Sequence, residues 1–289
     1  MSSANAQRDA SSLPRLPLAR YARVFGTFAR NSLMRDLSFR ANFIIECVTS
    51  LSWMAMNLGF YELIFGYTET IGRGTGWGKY EFFAFYATTM LINSLVQAFF
   101  MPNSEEFSEL IRTGGLDFAL LKPIDTQFLV SLAKIDWSAL VNFFAGLGLL
   151  GLSLAKLPYV PSLLQCVLYP LFVLCGVAIL YSLMITLSAT SVWLGRNQSL
   201  YDFWFYITNF SRYPREIYQG TVGTPMQWFF TFIIPVLVVV NVPARLLAWP
   251  FASQSWPLVG FALVAAAGSL AASRWIFLRA LGAYRSASS

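Results

Sequence analysis

Long apolar runs, separated from one another by short polar stretches, limit what this chain can fold into. A helix needs about 20 consecutive apolar residues to cross a lipid bilayer, and runs of roughly that length recur between Phe43 and Phe277. Charged residues make up only 12% of the chain, about half the share found in a soluble domain. The sequence therefore predicts an all-α integral membrane protein.

Six apolar segments are long enough to be transmembrane helices. We place these spans at residues 43–66, 80–101, 128–154, 162–194, 200–219 and 256–277. The fifth span is open to two interpretations, because residues 200–219 are aromatic but carry several charges. Residues 226–247 are the alternative fifth span, with residues 200–219 then lying on the cytoplasmic surface.

Prolines interrupt the apolar run at residues 225–249. Pro235 and Pro243 flank Asn241, and proline disfavours a continuous helix. If residues 200–219 form the fifth span, this run is a re-entrant helical hairpin that enters and leaves on the outer side. Non-helical backbone at that depth must be surrounded by protein.

The N-terminal region is basic. Residues 1–12 form a polar tail that we expect to be disordered, and residues 13–289 form a single transmembrane domain. Within it, residues 13–40 alternate arginines with apolar residues at helical spacing, which predicts an amphipathic helix on the membrane surface. Arginines before the first span predict a cytoplasmic N-terminus, and six spans then place the C-terminus in the cytoplasm as well. The net charge of +6 therefore indicates contact with membrane lipid rather than with nucleic acid.

Residues 102–123 form the one long polar interruption between two strongly apolar runs. Asn103 and Glu106 have the spacing of a helix capping box, and Gly114 and Gly115 fit a helix C-terminus. The segment is either a capped surface loop or a docking element for a partner on the cytoplasmic face. In either case, we expect the apolar residues 116–121 to pack back on the bundle.

One face of the second predicted span is polar and aromatic. It comprises Phe82, Tyr86, Thr89, Asn93 and Gln97, which follow one another at intervals of three or four residues. Such a face contacts other protein or a wet cavity rather than lipid. Helix packing and a substrate path both remain open at this point.

No catalytic or metal-binding pattern is found. The chain has no histidine, and Cys47, Cys166 and Cys175 lie inside apolar runs, which favours neither a metal site nor disulfides. The glycine-rich stretch GRGTGWGK lacks the Lys-Ser/Thr ending of a phosphate-binding loop. We therefore expect no cofactor on this chain and no enzymatic site of its own.

Three segments resemble the permease subunit of bacterial type 2 ABC exporters. They are ELIRTGGLDFALLKPID at residues 109–125, the segment from Tyr213-Pro214 to Tyr218, and FIIPVLVVVNVPARLL at residues 232–247. The amphipathic N-terminal helix, the polar helix after span two and the broken hairpin before the last span share the family's order. The architecture covers nearly the whole chain.

The resemblance implies a separate ATPase subunit, present in two copies, that holds ATP and Mg. It also implies a second permease subunit, identical or related, and a location in the bacterial cytoplasmic (inner) membrane. By position in the family, the helix that docks on the ATPase comprises Ser104, Glu105, Glu106, Phe107, Glu109, Leu110 and Arg112.

The family's transport path runs between two permeases and is lined partly by spans two and five. By position, this path would include Tyr86, Asn93, Gln97, Phe203, Tyr206 and Asn209, for which interhelical packing is the alternative role. An aromatic path with few charges suits lipids, glycolipids or amphipathic drugs, cationic ones included. The resemblance implies export by alternating access.

Two other functions are compatible with the sequence. An ion-coupled secondary carrier would use intramembrane carboxylates, for which Glu46, Glu62 and Asp136 are the candidates. A membrane scaffold that transports nothing would need no such groups.

Overall fold

A computed structural model describes residues 17–72, 74–194 and 205–284, and within these ranges the chain is helical with no strand. Residues 205–209 are helical, and short 3-10 turns lie at Phe210–Arg212, Arg215–Ile217 and Phe251–Ser253. The remaining helices, in chain order, are α1 (Leu18–Ser38), α2 (Arg40–Phe65), α3 (Lys79–Phe99), α4 (Met101–Thr113), α5 (Leu116–Leu120), α6 (Thr126–Leu132), α7 (Ala139–Lys156), α8 (Leu163–Ala189), α9 (Ser191–Leu194), α10 (Gly220–Phe232), α11 (Val236–Ala248) and α12 (Trp256–Ala283).

Five helical stretches in the described ranges are long and apolar enough to cross a membrane. They are Arg40–Phe65, Lys79–Thr113, Ala139–Lys156, Leu163–Trp193 and Trp256–Ala283. Helices α10 and α11 have 13 residues each, so the pair is long enough to be a span only when taken together, and its two helices are bent by 85°. The described ranges thus contain five candidate spans, or six if the bent pair is one span.

Helix α3 lies at the centre of the bundle and packs against α7, α8 and α11. Its side chains Phe82 and Phe85 are fully buried. Burying a side chain of this size contributes about 2–3 kcal/mol where the alternative is contact with water. Because lipid replaces water around a membrane protein, close packing rather than that transfer stabilises the bundle.

Buried aromatic residues mark the two ends of the bundle. Trp77, just before α3, is fully buried with its ring 5.3 Å from the rings of Phe85 and Trp249. At the opposite end, Phe107 is fully buried with its ring 5.5 Å from Phe277. We call these the Trp77 end and the Phe107 end.

Helix α2 makes few contacts with the rest of the chain. Tyr61 is its only buried residue, and the Tyr61 ring lies 4.7 Å from Phe82 and 5.5 Å from Tyr86. The opposite face of α2 is free to contact lipid or another protein.

The third predicted span is not the single helix expected over residues 128–154. Helix α6 ends at Leu132, and α7 begins at Ala139. The Asp136 carboxylate accepts hydrogen bonds from the N–H groups of Ser138 at 2.9 Å and Ala139 at 3.3 Å. These bonds satisfy donors at the start of α7, so Asp136 acts as a local cap.

Side chains from earlier helices hold the backbone of this break. Asn103 of α4 accepts from the N–H of Lys134 at 2.8 Å and donates to its carbonyl at 2.6 Å. Ser32 of α1 accepts from the N–H of Ile135 at 3.0 Å. Asn103 therefore hydrogen-bonds the backbone of this break. It is not the N-cap that the sequence predicted, because α4 already begins at Met101.

The proline-containing run breaks once rather than twice. Pro235 stands at the break as the residue before α11, whereas Pro243 lies inside α11. Asn241 is fully buried, donates to the carbonyl of Leu237 at 2.8 Å, and accepts from the N–H of Arg215 at 3.0 Å. The 3-10 turn Arg215–Ile217 is thereby attached to the middle of α11.

Helices α8 and α11 come close together near Pro243. Because proline has no N–H, it cannot donate to the carbonyl of Val239 four residues earlier. Gly176 of α8 packs against this carbonyl, so closely that a Cβ at Gly176 would lie 2.8 Å from the Val239 oxygen and 3.1 Å from Ile92 Cδ1. Only glycine leaves room for this approach.

Replacing Gly176 with Val should push α8 away from α11. We expect the free energy of unfolding to fall by about 1–3 kcal/mol, as is usual for overpacking, measured by thermal unfolding in detergent. The control is Gly148→Val, a helical site where a Cβ would meet nothing within 4 Å. Equal melting temperatures for the two variants would contradict this explanation.

Candidate coupling surface and transport path

Helices α4 and α5 form a compact unit at the Phe107 end. Pro102 stands in the first turn of α4, where the N–H that it lacks has no helical partner anyway. Gly114 ends the helix with φ of 76°, a left-handed conformation that favours glycine. The sequence prediction of a helix stop at this glycine agrees with the structure.

Buried residues anchor this unit to the bundle. Phe107 and Leu116 are fully buried. Both belong to a hydrophobic core that includes Phe277. The Ser104 hydroxyl contacts that of Ser188 near the end of α8. The unit is therefore attached to the ends of α8 and α12.

The residues predicted to dock on a partner divide into two groups. Ser104 and Phe107 are buried, Leu110 is half-buried, and Glu106 forms an ion pair with Lys134 at 3.0 Å. The other group is exposed and consists of Glu105, Glu109 and Arg112.

The exposed group carries mixed charge. Arg112 donates to Glu109 at 2.8 Å, and these hydrogen bonds lower the pKa of the Glu109 carboxyl below its usual value. Glu105 forms no ion pair with any residue in the described ranges. The face thus carries charges that are free to pair with another protein.

Residues 116–121 do not all pack back on the bundle as the sequence predicted. Leu116 and Ala119 are buried, but Phe118 is 74% exposed and Leu121 is 81% exposed. In a five-residue helix, only one side can face the core. We define the coupling surface as Glu105, Glu109, Arg112, Phe118 and Leu121.

An ion pair that the sequence did not predict follows the coupling surface. Arg274 of α12 donates to both oxygens of Asp125, at 3.1 and 2.6 Å, and to Gln127 at 2.9 Å. Gln127 donates to the hydroxyl of Tyr181 in α8 at 2.9 Å. The chain after the coupling surface is thereby connected to α8 and α12.

Asp125 also caps α6 by accepting from the N–H of Phe128 at 3.0 Å. Its burial raises the pKa of this carboxyl, but the hydrogen bonds from Arg274 and Phe128 more than offset burial, so the pKa lies below its ordinary value. The sequence signal for this cap is an Asp directly before Thr-Gln-Phe. No sequence signal points to Arg274 of α12 as the ion-pair partner of Asp125.

The structure places the predicted path residues at different heights. Tyr86 is half-buried beside Tyr61, Asn93 is half-buried, and Gln97 is exposed nearer to the Phe107 end. In the fifth segment, which is the described part of the predicted span 200–219 from residue 205 onwards, Tyr206 is 66% exposed.

The fifth segment is only partly described. Asn209 is half-buried and precedes the 3-10 turn Phe210–Arg212, which packs against α3 and α11. Phe203 lies outside the described residues. Of the five path residues that the structure describes, Tyr86, Asn93 and Asn209 are half-buried, and Gln97 and Tyr206 are exposed. Their role in transport stays a prediction.

A second unpredicted network lies at the Trp77 end. Glu216 forms an ion pair with Arg245 of α11 and accepts from the indole N–H of Trp77 at 3.0 Å. The Arg245 guanidinium lies 3.9 Å from the centre of the Trp249 ring, a cation–π contact. The loop before α3, the turn Arg215–Ile217 and α11 are thus joined by one mostly buried charge pair.

Amide side chains complete this network. Gln165, at the start of α8, donates to the carbonyls of Leu246 at 2.6 Å and Trp249 at 2.9 Å. Gln227 of α10 donates to the carbonyl of Arg215 at 2.6 Å. The last turn of α11 and the turn around Arg215 are therefore fixed in place.

The carboxylates proposed for an ion-coupled carrier each have a local partner. Glu46 accepts from Asn42 at 3.2 Å, Glu62 pairs with Lys79, and Asp136 caps α7. In the described part of the chain, no group of three His, Cys, Asp or Glu residues could hold a metal ion.

A family model described as ABC-2 family transporter protein matches residues 51–288, which is most of the chain. The match begins inside α2 and includes both ends of the bundle. No curated protein and no solved structure matches the chain. The resemblance that the three sequence segments indicated is confirmed.

Replacing Asp125 with Asn should weaken its attachment to α12. We expect a loss of about 1 kcal/mol at pH 7, the range for a charged hydrogen bond in a partly exposed pair. Because the folded-state pKa is lowered, the pair stabilises the fold above about pH 4, the ordinary pKa of Asp, and this contribution is lost as pH falls through the folded-state pKa.

Thermal unfolding in detergent between pH 3 and pH 8 measures this effect. The difference between wild type and Asp125→Asn should be present at pH 7 and shrink below pH 4. Glu109→Gln, which breaks an exposed pair, serves as the control and should leave the melting temperature unchanged, because solvent screens such pairs. A difference that does not depend on pH would rule out the ion pair as its cause.

Proposed function

The chain belongs to the ABC-2 family of transporter proteins, and from that premise we propose that it is the permease subunit of an ATP-driven exporter. ATP and Mg are held by a separate ATPase subunit, two copies of which act on two permease subunits. The family match over residues 51–288 is the observation that carries this proposal. The multi-pass helical bundle, with its long apolar helices, supports it.

Charge distribution supports an orientation for the bundle. The Phe107 end carries the arginine-rich α1, whose Arg20, Arg23 and Arg30 are exposed. The Tyr21 ring of α1 packs 4.9 Å from Phe128 at the same end. Positive residues favour the cytoplasmic side, so the Phe107 end faces the cytoplasm in our proposal and α1 lies on that membrane surface.

Contacts along the chain support six crossings. The Ser191 hydroxyl lies 3.3 Å from Ser108 at the Phe107 end, whereas Glu216 contacts Trp77 at the opposite end. The chain therefore passes from one end to the other between Ser191 and Glu216, which makes this the fifth crossing. Both termini are then cytoplasmic, in a bacterial cytoplasmic membrane.

The bent pair α10 and α11 is best explained as a re-entrant hairpin. Gln219, just before α10, donates to Glu216 at the Trp77 end at 2.7 Å. Trp249, just after α11, lies against Trp77. Both ends of the pair thus lie at the Trp77 end, and the turn near Pro235 connects the two helices.

The coupling surface is the proposed docking site for the ATPase. It combines unpaired charge at Glu105 with exposed apolar side chains at Phe118 and Leu121. Large exposed apolar residues beside charges are typical of interaction surfaces. Closure of the ATPase pair would move this unit and switch the permease pair between inward-open and outward-open states, exporting a lipid, glycolipid or amphipathic drug.

Reversing the charge of Glu105 and Glu109 together should weaken docking. We expect the Glu105→Lys, Glu109→Lys variant to lose at least about tenfold in affinity for the ATPase, because a rim of like charge opposes association. Co-purification and stimulation of ATPase activity measure this. Glu106 is kept, because it pairs with Lys134 inside the chain.

Glu69→Lys is the matched control. Glu69 is exposed at the other end of the bundle, so its reversal should leave the complex intact. Unchanged affinity and ATPase stimulation in the double variant would place docking elsewhere. Transport by the permease alone in liposomes, driven by an ion gradient, would replace the proposal with a secondary carrier.

A further inference from the structure

Helix α12 is contacted at two points by the part of the chain that carries the coupling surface. Phe107 of α4 packs against Phe277, with ring centres 5.5 Å apart. Asp125, which follows Leu121 of the coupling surface after a short turn, binds Arg274 through both carboxylate oxygens. Arg274 and Phe277 are three residues apart, so one face of α12 receives both an apolar and a charged contact.

The two contacts restrain α12 in different ways. Phe107 and Phe277 are fully buried, but apolar packing is non-directional, so one ring can shift against the other. The Asp125–Arg274 pair is bidentate, with Nη1–Oδ1 at 3.1 Å and Nη2–Oδ2 at 2.6 Å. Two parallel hydrogen bonds fix the carboxylate relative to the guanidinium plane. The ion pair therefore sets the position of α12 relative to Asp125 more strictly than the packing does.

The connection from the coupling surface to Asp125 is short and hydrogen-bonded. Three residues separate Leu121 from Asp125, and the N–H of Ile124 donates to the carbonyl of Lys122 at 2.8 Å. Asp125 in turn caps α6 by accepting from the N–H of Phe128 at 3.0 Å. A displacement of the coupling surface therefore reaches Asp125 through a closed turn rather than through an extended linker.

The Asp125–Arg274 pair is exposed enough to open and close again. The side chains of Arg274 and Asp125 are 43% and 33% exposed, and water and salt screen such a pair. The Glu216–Arg245 pair at the Trp77 end is more buried, with side chains 18% and 14% exposed, and breaking it would leave a poorly solvated charge. Of these two ion pairs, Asp125–Arg274 is the one that suits a moving contact.

Gln127 joins this ion pair to a second spanning helix. Its amide oxygen accepts from Arg274 at 2.9 Å, and its amide nitrogen donates to the hydroxyl of Tyr181 in α8 at 2.9 Å. The Ser131 hydroxyl of α6 lies 2.9 Å from the same tyrosine hydroxyl. The contacts of α6 with α8 do not involve Asp125, so loss of this carboxylate should affect α12 and not α8.

We propose that the Asp125–Arg274 ion pair transmits movement of the coupling surface to α12, so that both residues are positioning residues for coupling and not for docking. This inference rests on the proposed function and adds to it a route from the ATPase to one spanning helix. Arg274 lies nine residues before α12 ends at Ala283, about 14 Å along a regular helix. A shift applied at Arg274 thus acts well inside α12 and not at its last turn.

The test measures amide hydrogen exchange in the complex of the permease with its ATPase, in nanodiscs of phosphatidylcholine. One sample is free of nucleotide, and in the other the ATPase pair is trapped closed by ATP, Mg and vanadate. In the wild type, we expect exchange in α8 and in residues 270–283 of α12 to differ between these two samples. We call this the state difference; it reports movement, whereas an increase in both samples reports loss of structure.

Two substitutions remove the ion pair from either side. Asp125→Asn removes the charge but keeps a cap for α6, because Asn caps helices as well as Asp does. We expect this variant and Arg274→Gln to bind the ATPase with wild-type affinity, to lose most of the state difference in α12, and to retain it in α8. Combining the two should cause no further loss, because both remove the same interaction.

Two further variants separate coupling from structure. Arg274→Lys keeps a positive partner for Asp125 and should restore part of the state difference in α12. Arg279→Gln is the matched control, because Arg279 is an exposed arginine of the same helix, with its guanidinium 5.2 Å from the centre of the Trp275 ring. It should show the state difference of the wild type in both helices.

Several outcomes would overturn the inference while leaving the proposed function standing. One is a wild-type complex that hydrolyses ATP without any state difference in α12, and another is a state difference that persists in Asp125→Asn and Arg274→Gln. Weaker docking of these variants would make the pair part of the docking site. Raised exchange of α12 in both samples, without rescue by Arg274→Lys, would assign the pair to the fold alone.

The proposed function has a separate point of failure in the same experiment. It is contradicted if the wild-type chain forms no complex with the ATPase, because no docking then takes place. The outcomes for the ion pair are read only from complexes that form and hydrolyse ATP, so the two failures are distinguishable.

Discussion

Backbone polar groups surrounded by lipid have no water to pair with, so a chain can leave the helical conformation there only where surrounding protein or a water-filled cavity supplies partners. Side-chain amides meet this need because each carries both a donor and an acceptor. Asn103 binds the N–H and the carbonyl of Lys134 at the break before α7. Asn241 and Gln227 do the same for Arg215, one from each arm of the bent pair.

The two ends of the bundle use their polar groups differently. At the Trp77 end, the Glu216–Arg245 pair is mostly buried and joins three separate parts of the chain. Removing one partner of such a pair would leave an uncompensated charge. At the Phe107 end, Glu105 and Phe118 are exposed. One end is therefore held together by a mostly buried ion pair, and the other has exposed charged and apolar side chains, which in our proposal bind the ATPase.

The coupling surface is connected to several spanning helices at once. Phe107 contacts Phe277 of α12, Asp125 binds Arg274 of the same helix, and Ser104 contacts Ser188 of α8. A displacement of α4 and α5 is therefore shared between α8 and α12. In the proposed transport cycle, these contacts carry the movement of the ATPase into α8 and α12.

The sequence by itself determined the membrane class, the family and the positions of most apolar helices, because length and hydropathy are local properties of a segment. It also located the polar unit with its stop at Gly114. Only the tertiary structure decided that the third span breaks before Ala139, and that Phe118 faces outward. Asp125 and Arg274 are 149 residues apart in the chain, and no periodicity relates them. Such contacts depend on which helix ends meet when the bundle packs, and that is a property of the whole fold.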